Sequence, residues 1–138
     1  VILAGDTVVL FNGQILGKPE TASHANSVLS QLNGNVHTVL SGFSILDSAS
    51  GNEISDVIYT KVKFNKMSPD LLEWYVSTGE PLGKAGAYSI QGQGLILVES
   101  IEGSYNNVVG LPIEFIIPYM SNNGWISYSE KAQEVINV

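Results

Sequence analysis

The chain contains no cysteine among its 138 residues. Disulfide scaffolds, thiol catalysis and zinc sites with cysteine ligands are therefore excluded. Long apolar runs are missing too: "GLPIEFIIPYM" is interrupted by Pro112, Glu114 and Pro118, well short of the roughly 18 residues that a membrane-spanning helix needs. We expect no membrane association and a cytoplasmic location.

Basic residues are scarce, since the chain has 6 lysines and arginines against 13 aspartates and glutamates, and arginine is absent altogether. The net charge of −7 leaves no basic face for a nucleic-acid backbone, so we expect no nucleic-acid partner. The two histidines, His24 and His37, have no carboxylate at metal-ligand spacing. We expect them to be ordinary helix-surface and strand residues.

The chain has enough apolar residues for one core. With 138 residues and 44% hydrophobic content, it has the size of a single domain spanning residues 1–138 and is too short for two. It begins with Val1 inside an apolar stretch and without a methionine. We therefore expect a further N-terminal segment to be missing.

Turn residues between apolar stretches predict the strands. Residues 1–16 form a predicted strand pair that turns at Asn12-Gly13, with a buried first strand. Residues 36–47 and 54–64 flank a turn-rich stretch and predict a long antiparallel hairpin with one wet face. Residues 95–101 predict a further strand.

Capping residues and apolar spacing predict the helices. One runs from residue 21 or 22 to 33, with Gly34 as its C-terminal cap. A second starts with Ser68 as N-cap and Pro69 at the first position, and ends before Gly79. A final helix over residues 106–120 is kinked or started near Pro112. The predicted fold is one α/β domain with a mixed twisted sheet flanked by helices.

A glycine-rich segment, "GKAGAYSIQGQG" at residues 83–94, holds four glycines in a dozen positions. Glycine permits left-handed or closely approached backbone that a Cβ would block. One interpretation is an anion-binding concavity of backbone N–H groups facing an oxygen-rich ligand. The other is ordinary turn chemistry.

Three further features carry candidate chemistry. Asp6 lies in an apolar strand, where a carboxylate must be paired, hydrogen-bonded or bound to a cation. Lys18 is held between a glycine and a proline, and Lys84 and Gln91 frame the glycine-rich segment. Each has a plain structural alternative when taken singly, because buried aspartate caps and turn lysines are common.

Taken together, four stretches resemble the Maf family of nucleotide pyrophosphatases. They are "GDTVVLFNGQILGKPE", "HTVLSGFSI", "GEPLGKAGAYSIQGQG" and "IEGSYNNVVGLP", which follow the family pattern in order and spacing over most of the chain. The resemblance implies a Maf/ITPase-like fold. It also implies hydrolysis of a nucleoside triphosphate between the α and β phosphorus atoms. The Asp-Thr pair and "AYSIQG" are similar to the branch that acts on dTTP, UTP and related pyrimidine nucleotides.

The resemblance also implies roles for single residues. Asp6 would be the catalytic residue that orients or deprotonates water, and it would hold Mg²⁺ or another divalent cation such as Mn²⁺. The lysines would contact phosphates, Gln91 would read a pyrimidine edge, and glycines such as Gly92 would let base or phosphate approach the backbone. The implied substrate-binding residues are Thr7, Lys18, Lys84, Gly86 and Gln91.

The chain departs from the family pattern in two places. The family's first strand and its Ser-x-Ser-Pro-Arg-Arg phosphate loop are absent, and Gly83 stands where the family usually has aspartate. We therefore expect an incomplete phosphate site, weak or no turnover by these residues alone, and an open sheet edge beside "VILAGDTVV". The alternative is a degenerate, inactive member that binds nucleotide or acts in regulation, for example at the septum. A homodimer is also possible in this family.

Overall fold

The computed structural model describes residues 1–128. Within this range, the elements in chain order are β1 (Ile2–Phe11), β2 (Gln14–Leu16), α1 (Ala22–Leu32), β3 (Val36–Leu46), β4 (Glu53–Phe64), α2 (Pro69–Ser77), β5 (Val98–Glu102), α3 (Tyr105–Val109) and α4 (Ile113–Asn122). The α/β class is confirmed. No helix within these residues reaches the length and apolar content that crossing a membrane requires.

The five described strands form one sheet in the order β2-β1-β3-β4-β5, and all of its pairings are antiparallel. The prediction of a mixed sheet is therefore wrong for the described strands. Helix α1 does connect two strands of the same direction, β2 and β3. These two never pair, because β1 lies between them.

The first strand pair turns where the sequence predicts, with Asn12 at φ 48° and Gly13 at φ 75°. Two positive φ values are what a tight two-residue hairpin turn requires. The prediction that the first strand is buried is wrong for its N-terminal half. Among the described residues, β2 pairs only with residues 9–11 of β1, so residues 2–8 of β1 pair with β3 alone. Within this part of the chain, the expected open edge is confirmed.

The helix predictions are confirmed at α1 and α2 and are only partly right at the C-terminal end. Thr21 and Ser68 cap the two helices by accepting hydrogen bonds from backbone N–H groups, and Gly34 follows α1 with φ 69°. The single final helix is two helices, because Gly110 at φ 131° interrupts helical geometry. Helix α4 begins just after Pro112, as predicted. The predicted strand over 95–101 begins only at Val98, because residues 93–97 form a 3₁₀ turn.

The core lies on one face of the sheet in two parts. The larger part is formed by α1, α2 and the glycine-rich segment against β1, β3 and β4. The smaller part lies under α4, where Ile116 packs on Phe43 and Ile45. Three buried polar residues on the same face are joined by hydrogen bonds. The Ser41 hydroxyl donates to the carbonyl of Asn107, and the Asn107 side-chain amide donates to the Thr60 hydroxyl. This polar strip adjoins the candidate site described below.

His37 lies in the larger core and is 1% exposed. Its Nε2 lies 2.8 Å from the Tyr88 hydroxyl, and its ring meets Phe64 edge-on with centroids 4.9 Å apart. Burial lowers the pKa of His37 from 6.5 to about 4. It is a strand residue, as expected, but a fully buried and neutral one. His24 is an exposed helix residue, as predicted.

We predict acid destabilisation that depends on His37. Between pH 6.5 and about 4, the unfolded chain binds a proton that the folded chain does not. The free energy of unfolding therefore falls as pH falls through this window, by up to about 1.4 kcal/mol per pH unit for one histidine. Urea unfolding from pH 7 to 4 should show a shallower pH slope for His37→Gln than for the parent. The exposed His24→Gln variant is the control, and equal slopes for all three proteins would contradict the prediction.

Candidate functional site

A cavity of about 370 Å³ lies where β1, the residues after β2, the glycine-rich segment and the end of α3 meet. This volume lies in the range of small-molecule sites. Its walls include five of the residues that the sequence singles out: Asp6, Thr7, Lys18, Lys84 and Gln91. Gly86 does not line the cavity. A Cβ at Gly86 would meet Val9 at 2.8 Å, so the close approach it permits is to the core.

Asp6 lies on the half of β1 that has an open edge. One of its carboxylate oxygens accepts a hydrogen bond from the Thr7 N–H at 2.9 Å and lies 3.5 Å from the Lys18 ammonium. The side chain is 76% exposed, so the expectation of an aspartate embedded in an apolar strand is wrong. The sequence pattern shows the apolar neighbours of Asp6, but it does not show how many strands flank this part of β1. Among the described strands, only β3 does.

Lys18 and Lys84 line the cavity from two chain segments that one backbone hydrogen bond joins. The N–H of Gly83 donates to the carbonyl of Pro19 at 2.8 Å. This hydrogen bond joins the residue after Lys18 to the residue before Lys84. The Lys18 side chain is 56% exposed, so its ion pair with Asp6 is worth little by itself in water. An incoming anion could therefore exchange for the carboxylate at small cost.

The hydroxyl of Thr7 is bonded to protein groups. It donates to the carbonyl of Gly110 at 3.1 Å and lies 2.7 Å from the Ser41 hydroxyl. The first contact ties β1 to the end of α3, which forms one wall of the cavity, and the second ties β1 to β3. Thr7 thus lines the cavity, and its side chain also fixes the neighbouring wall.

Asn107 holds α3 in place and was not singled out by the sequence analysis. It is 0% exposed, and its amide nitrogen donates to the carbonyls of Val39 and Ile58 and to the hydroxyl of Thr60 at 2.9–3.1 Å. The signal in the sequence is its place inside "GSYNNVVG". Only the fold shows that this asparagine, and not its neighbour Asn106, is the buried one.

Backbone N–H groups at the end of the glycine-rich segment bind a carboxylate of the chain itself: Glu80 accepts from Gln93 and Gly94 at 2.9 Å each. A bound oxygen-rich ligand at this segment stays a prediction. A Cβ at Gly92 would overlap this carboxylate. The space predicted for a base or phosphate beside Gly92 is therefore filled by Glu80.

The chemistry of the cavity limits how a metal could be held. Among the described residues, no three His, Cys, Asp or Glu side chains come together as a metal site. Asp6 is the one carboxylate among the described residues that line the cavity. Mg²⁺ commonly takes one or two carboxylates and completes its shell with phosphate oxygens and water. The residues present fit a cation that arrives with a phosphate ligand.

A second, shallower groove of about 820 Å³ lies on the face of the sheet that is opposite to the core. It shares Gly5 and Asp6 with the first cavity and continues over Phe43 to Tyr59. No lysine lines it. The first cavity is the better candidate for an anionic ligand, because it contains both Lys18 and Lys84.

Comparisons with known proteins match most of the chain. A family model described as Maf-like protein matches residues 1–122. A "dTTP/UTP pyrophosphatase" of Pyrococcus furiosus is 54% identical over 117 residues, which are 84% of this chain and 60% of that relative. Proteins of the same name from Clostridium novyi and Syntrophotalea carbinolica are 44% and 43% identical over 124 and 122 residues. These matches cover 90% and 88% of this chain, and 65% and 56% of those relatives. The chain thus spans about three fifths of the length of the curated relatives it matches.

Proposed function

The chain belongs to the Maf-like protein family, and from this premise we propose that it hydrolyses nucleoside triphosphates to the monophosphate and pyrophosphate. The proposed substrates are dTTP, UTP and related pyrimidine nucleotides, as the names of the relatives suggest. One observation carries the proposal: a cavity of about 370 Å³ gathers Asp6, Lys18, Lys84 and Gln91 from separate parts of the chain. Since the chain spans only about three fifths of the length of these relatives, their activity is a proposal for this chain.

The proposed reaction is attack of water on the α-phosphorus of the triphosphate. Little covalent chemistry is required of the protein, so catalysis depends on placing the water and stabilising charge on the phosphate oxygens. Asp6 is the carboxylate available in the cavity to orient the water and accept its proton. Its side chain is 76% exposed and therefore accessible to water, and the Lys18 ammonium lies 3.5 Å from it.

The two lysines are the proposed phosphate contacts. A triphosphate carries about four negative charges near neutral pH, and each ammonium acts on it as a mobile point charge. Lys18 and Lys84 approach the cavity from two chain segments that the Gly83–Pro19 hydrogen bond joins. The negative charge of the triphosphate would therefore be shared between the two lysines.

A divalent cation, Mg²⁺ or Mn²⁺, is proposed as the cofactor. Asp6 would hold it together with phosphate oxygens, in keeping with the single carboxylate on the described cavity walls. When bound, the cation would supply positive charge to the triphosphate. The chain's own residues would still place the water and the base.

Turnover by an extended form tests the proposal. The 138-residue chain is joined to the strand and Ser-x-Ser-Pro-Arg-Arg loop that the family pattern places upstream, and both forms are assayed with dTTP or UTP and Mg²⁺. A phosphate assay coupled to inorganic pyrophosphatase should detect pyrophosphate release by the extended form. Thermal melts are run beside it. Nucleotide-dependent stabilisation without any release would favour the binding-only or regulatory alternative.

We predict that Gln91 contributes to base selectivity. Gln91→Ala should reduce discrimination between pyrimidine and purine triphosphates more than it reduces the rate with the best substrate, because a lost hydrogen-bond reader mainly removes selectivity. Lys18→Ala should weaken the binding of all triphosphates to the same extent. The measurement is kcat/KM for dTTP, UTP, dATP and GTP in the extended form. An equal loss of kcat/KM for every base in Gln91→Ala would indicate that Gln91 contacts the phosphates or supports the fold of the loop.

A cytoplasmic location and a homodimer are proposed from the family resemblance. Size-exclusion chromatography with light scattering tests the dimer at several protein concentrations. A single monomeric mass at all concentrations would contradict it.

A further inference from the structure

Glu80 precedes the glycine-rich segment by three residues and binds the segment's last two. One carboxylate oxygen accepts from the N–H of Gln93 and the other from the N–H of Gly94, at 2.9 Å each. The second oxygen also accepts from the Tyr75 hydroxyl at 2.8 Å. Three hydrogen bonds to one carboxylate therefore close residues 80–94 into a loop, because Glu80 at its start is fixed to Gln93 and Gly94 at its end.

Tyr75 carries the contact from Glu80 to the middle of the segment. Its side chain is fully buried, and its hydroxyl, while donating to Glu80, accepts from the N–H of Ser89 at 3.1 Å. Burial, and then the neighbouring Glu80, raises the pKa of Tyr75. The hydroxyl thus keeps the proton that it donates to the carboxylate.

The glycines of the segment match this arrangement. A Cβ at Gly92 would overlap the Glu80 carboxylate, and a Cβ at Gly94 would lie 2.6 Å from the Tyr75 hydroxyl. Side chains at these positions would separate the carboxylate from the N–H groups it binds. The two glycines are therefore required by Glu80 and Tyr75, and need no bound ligand to account for them.

The loop closed by Glu80 carries much of the cavity wall. Seven of the residues that line the cavity belong to the glycine-rich segment, among them Lys84 and Gln91. The carboxylate is ionised over the working range of pH. Although partial burial opposes ionisation, the N–H groups of Gln93 and Gly94 and the Tyr75 hydroxyl hold the pKa of Glu80 below its usual range.

We infer that Glu80 is a positioning residue that, through Gln93, Gly94 and Tyr75, sets where Lys84 and Gln91 meet the nucleotide. This inference rests on the proposed function for its nucleotide, but the loop geometry itself does not. Asp6 lies on β1, outside the segment, whereas Lys18 is linked to the segment through the Gly83–Pro19 hydrogen bond. Loosening the segment should therefore weaken substrate binding more than the chemical step.

The experiment compares two variants with a matched control. Glu80→Gln keeps the shape but turns an amide NH₂ toward a backbone N–H, and Tyr75→Phe keeps the ring while removing the hydroxyl. Glu73→Gln makes the same chemical change at an exposed position on α2. Hydrogen exchange by mass spectrometry on the 138-residue chain reports the segment's opening, and steady-state kinetics with Mg²⁺-dTTP on the extended form report KM and kcat separately.

We expect peptides that cover residues 89–94 to exchange at least about tenfold faster in both variants than in the parent and the control. KM should rise by about tenfold with kcat changed by less than about threefold. A purely structural role would lower the active fraction, and hence kcat, with KM unchanged.

Hydrogen exchange at the parental rate in Glu80→Gln and Tyr75→Phe would overturn the inference. Faster hydrogen exchange with KM unchanged would overturn it too. If the extended parent releases no pyrophosphate, the proposed function fails. The dissociation constant of Mg²⁺-dTTP, measured by calorimetry, then takes the place of KM. A variant that fails to fold leaves the other variant to decide.

Discussion

Changing Asp6 to asparagine should lower pyrophosphate release by about 10²-fold or more while leaving the fold almost unchanged. The asparagine keeps the oxygen that accepts from Thr7 N–H at 2.9 Å, so the local backbone contact survives. It loses the charge that would orient water, accept its proton and face Lys18. Because the side chain is 76% exposed, its replacement removes no buried contact.

The measurement is kcat/KM of the extended form with dTTP and Mg²⁺, beside a thermal melt. Asp70→Asn is the matched control, since Asp70 is an exposed carboxylate in the first turn of α2 and does not line the cavity. Near-parental release by Asp6→Asn would make Asp6 a surface residue and would remove the proposed site. A large drop in kcat/KM in both variants would indicate a general effect of the protein's charge instead.

Changing Gly94 to alanine should destabilise the chain by roughly 3 kcal/mol, the upper end of what overpacking usually costs. The added Cβ would lie 2.5 Å from the Ser89 carbonyl oxygen and 2.6 Å from the Tyr75 hydroxyl. Gly94 is buried, and the backbone oxygen cannot rotate away as a flexible side-chain end could. The Glu80 contacts to the segment should be lost with it.

Urea unfolding gives the free energy of the Gly94→Ala variant, and the midpoint should move without a change in slope. Gly17→Ala is the control, because a Cβ there has no heavy atom within 4 Å. It should be neutral or slightly stabilising, since alanine restricts the unfolded chain. Equal stability of the two variants would show that the segment can relax and that its contacts are loose.

Some failures of the sequence analysis share a cause. The apolar neighbours of Asp6 predicted a buried strand, yet burial depends on how many strands flank β1, and β2 covers only residues 9–11. The mixed sheet was predicted from alternating elements. Direction of pairing depends instead on which side of β1 the later β3 joins. Neither property is encoded within a window of neighbouring residues.

The glycine-rich segment shows the same limit within the site. Its glycines predicted either backbone N–H groups that face an oxygen-rich ligand or ordinary turn chemistry. Two of these N–H groups bind an anion of the chain itself. The anion is Glu80, whose carboxylate binds residues 13 and 14 positions away. The identity of the anion follows only from how the loop folds back. Asn107 is a similar case, since its buried amide bonds to two strands that lie far from it in the chain.

Local chemistry determined what the sequence could predict by itself. The Asn12-Gly13 turn, the caps at Thr21 and Ser68 and the glycine after α1 depend on residues next to each other, so each appears in the structure as expected. Of the six residues to which the Maf-like motifs assign a role, five line the cavity and Gly86 does not; the roles themselves stay predictions. Tertiary structure alone decided exposure, pairing and contact over distance: that Asp6 faces water, that Gly83 joins Pro19, and that Glu80 holds the segment. These depend on packing between elements, because burial and long-range hydrogen bonds are set by which surfaces meet and not by the residues on either side.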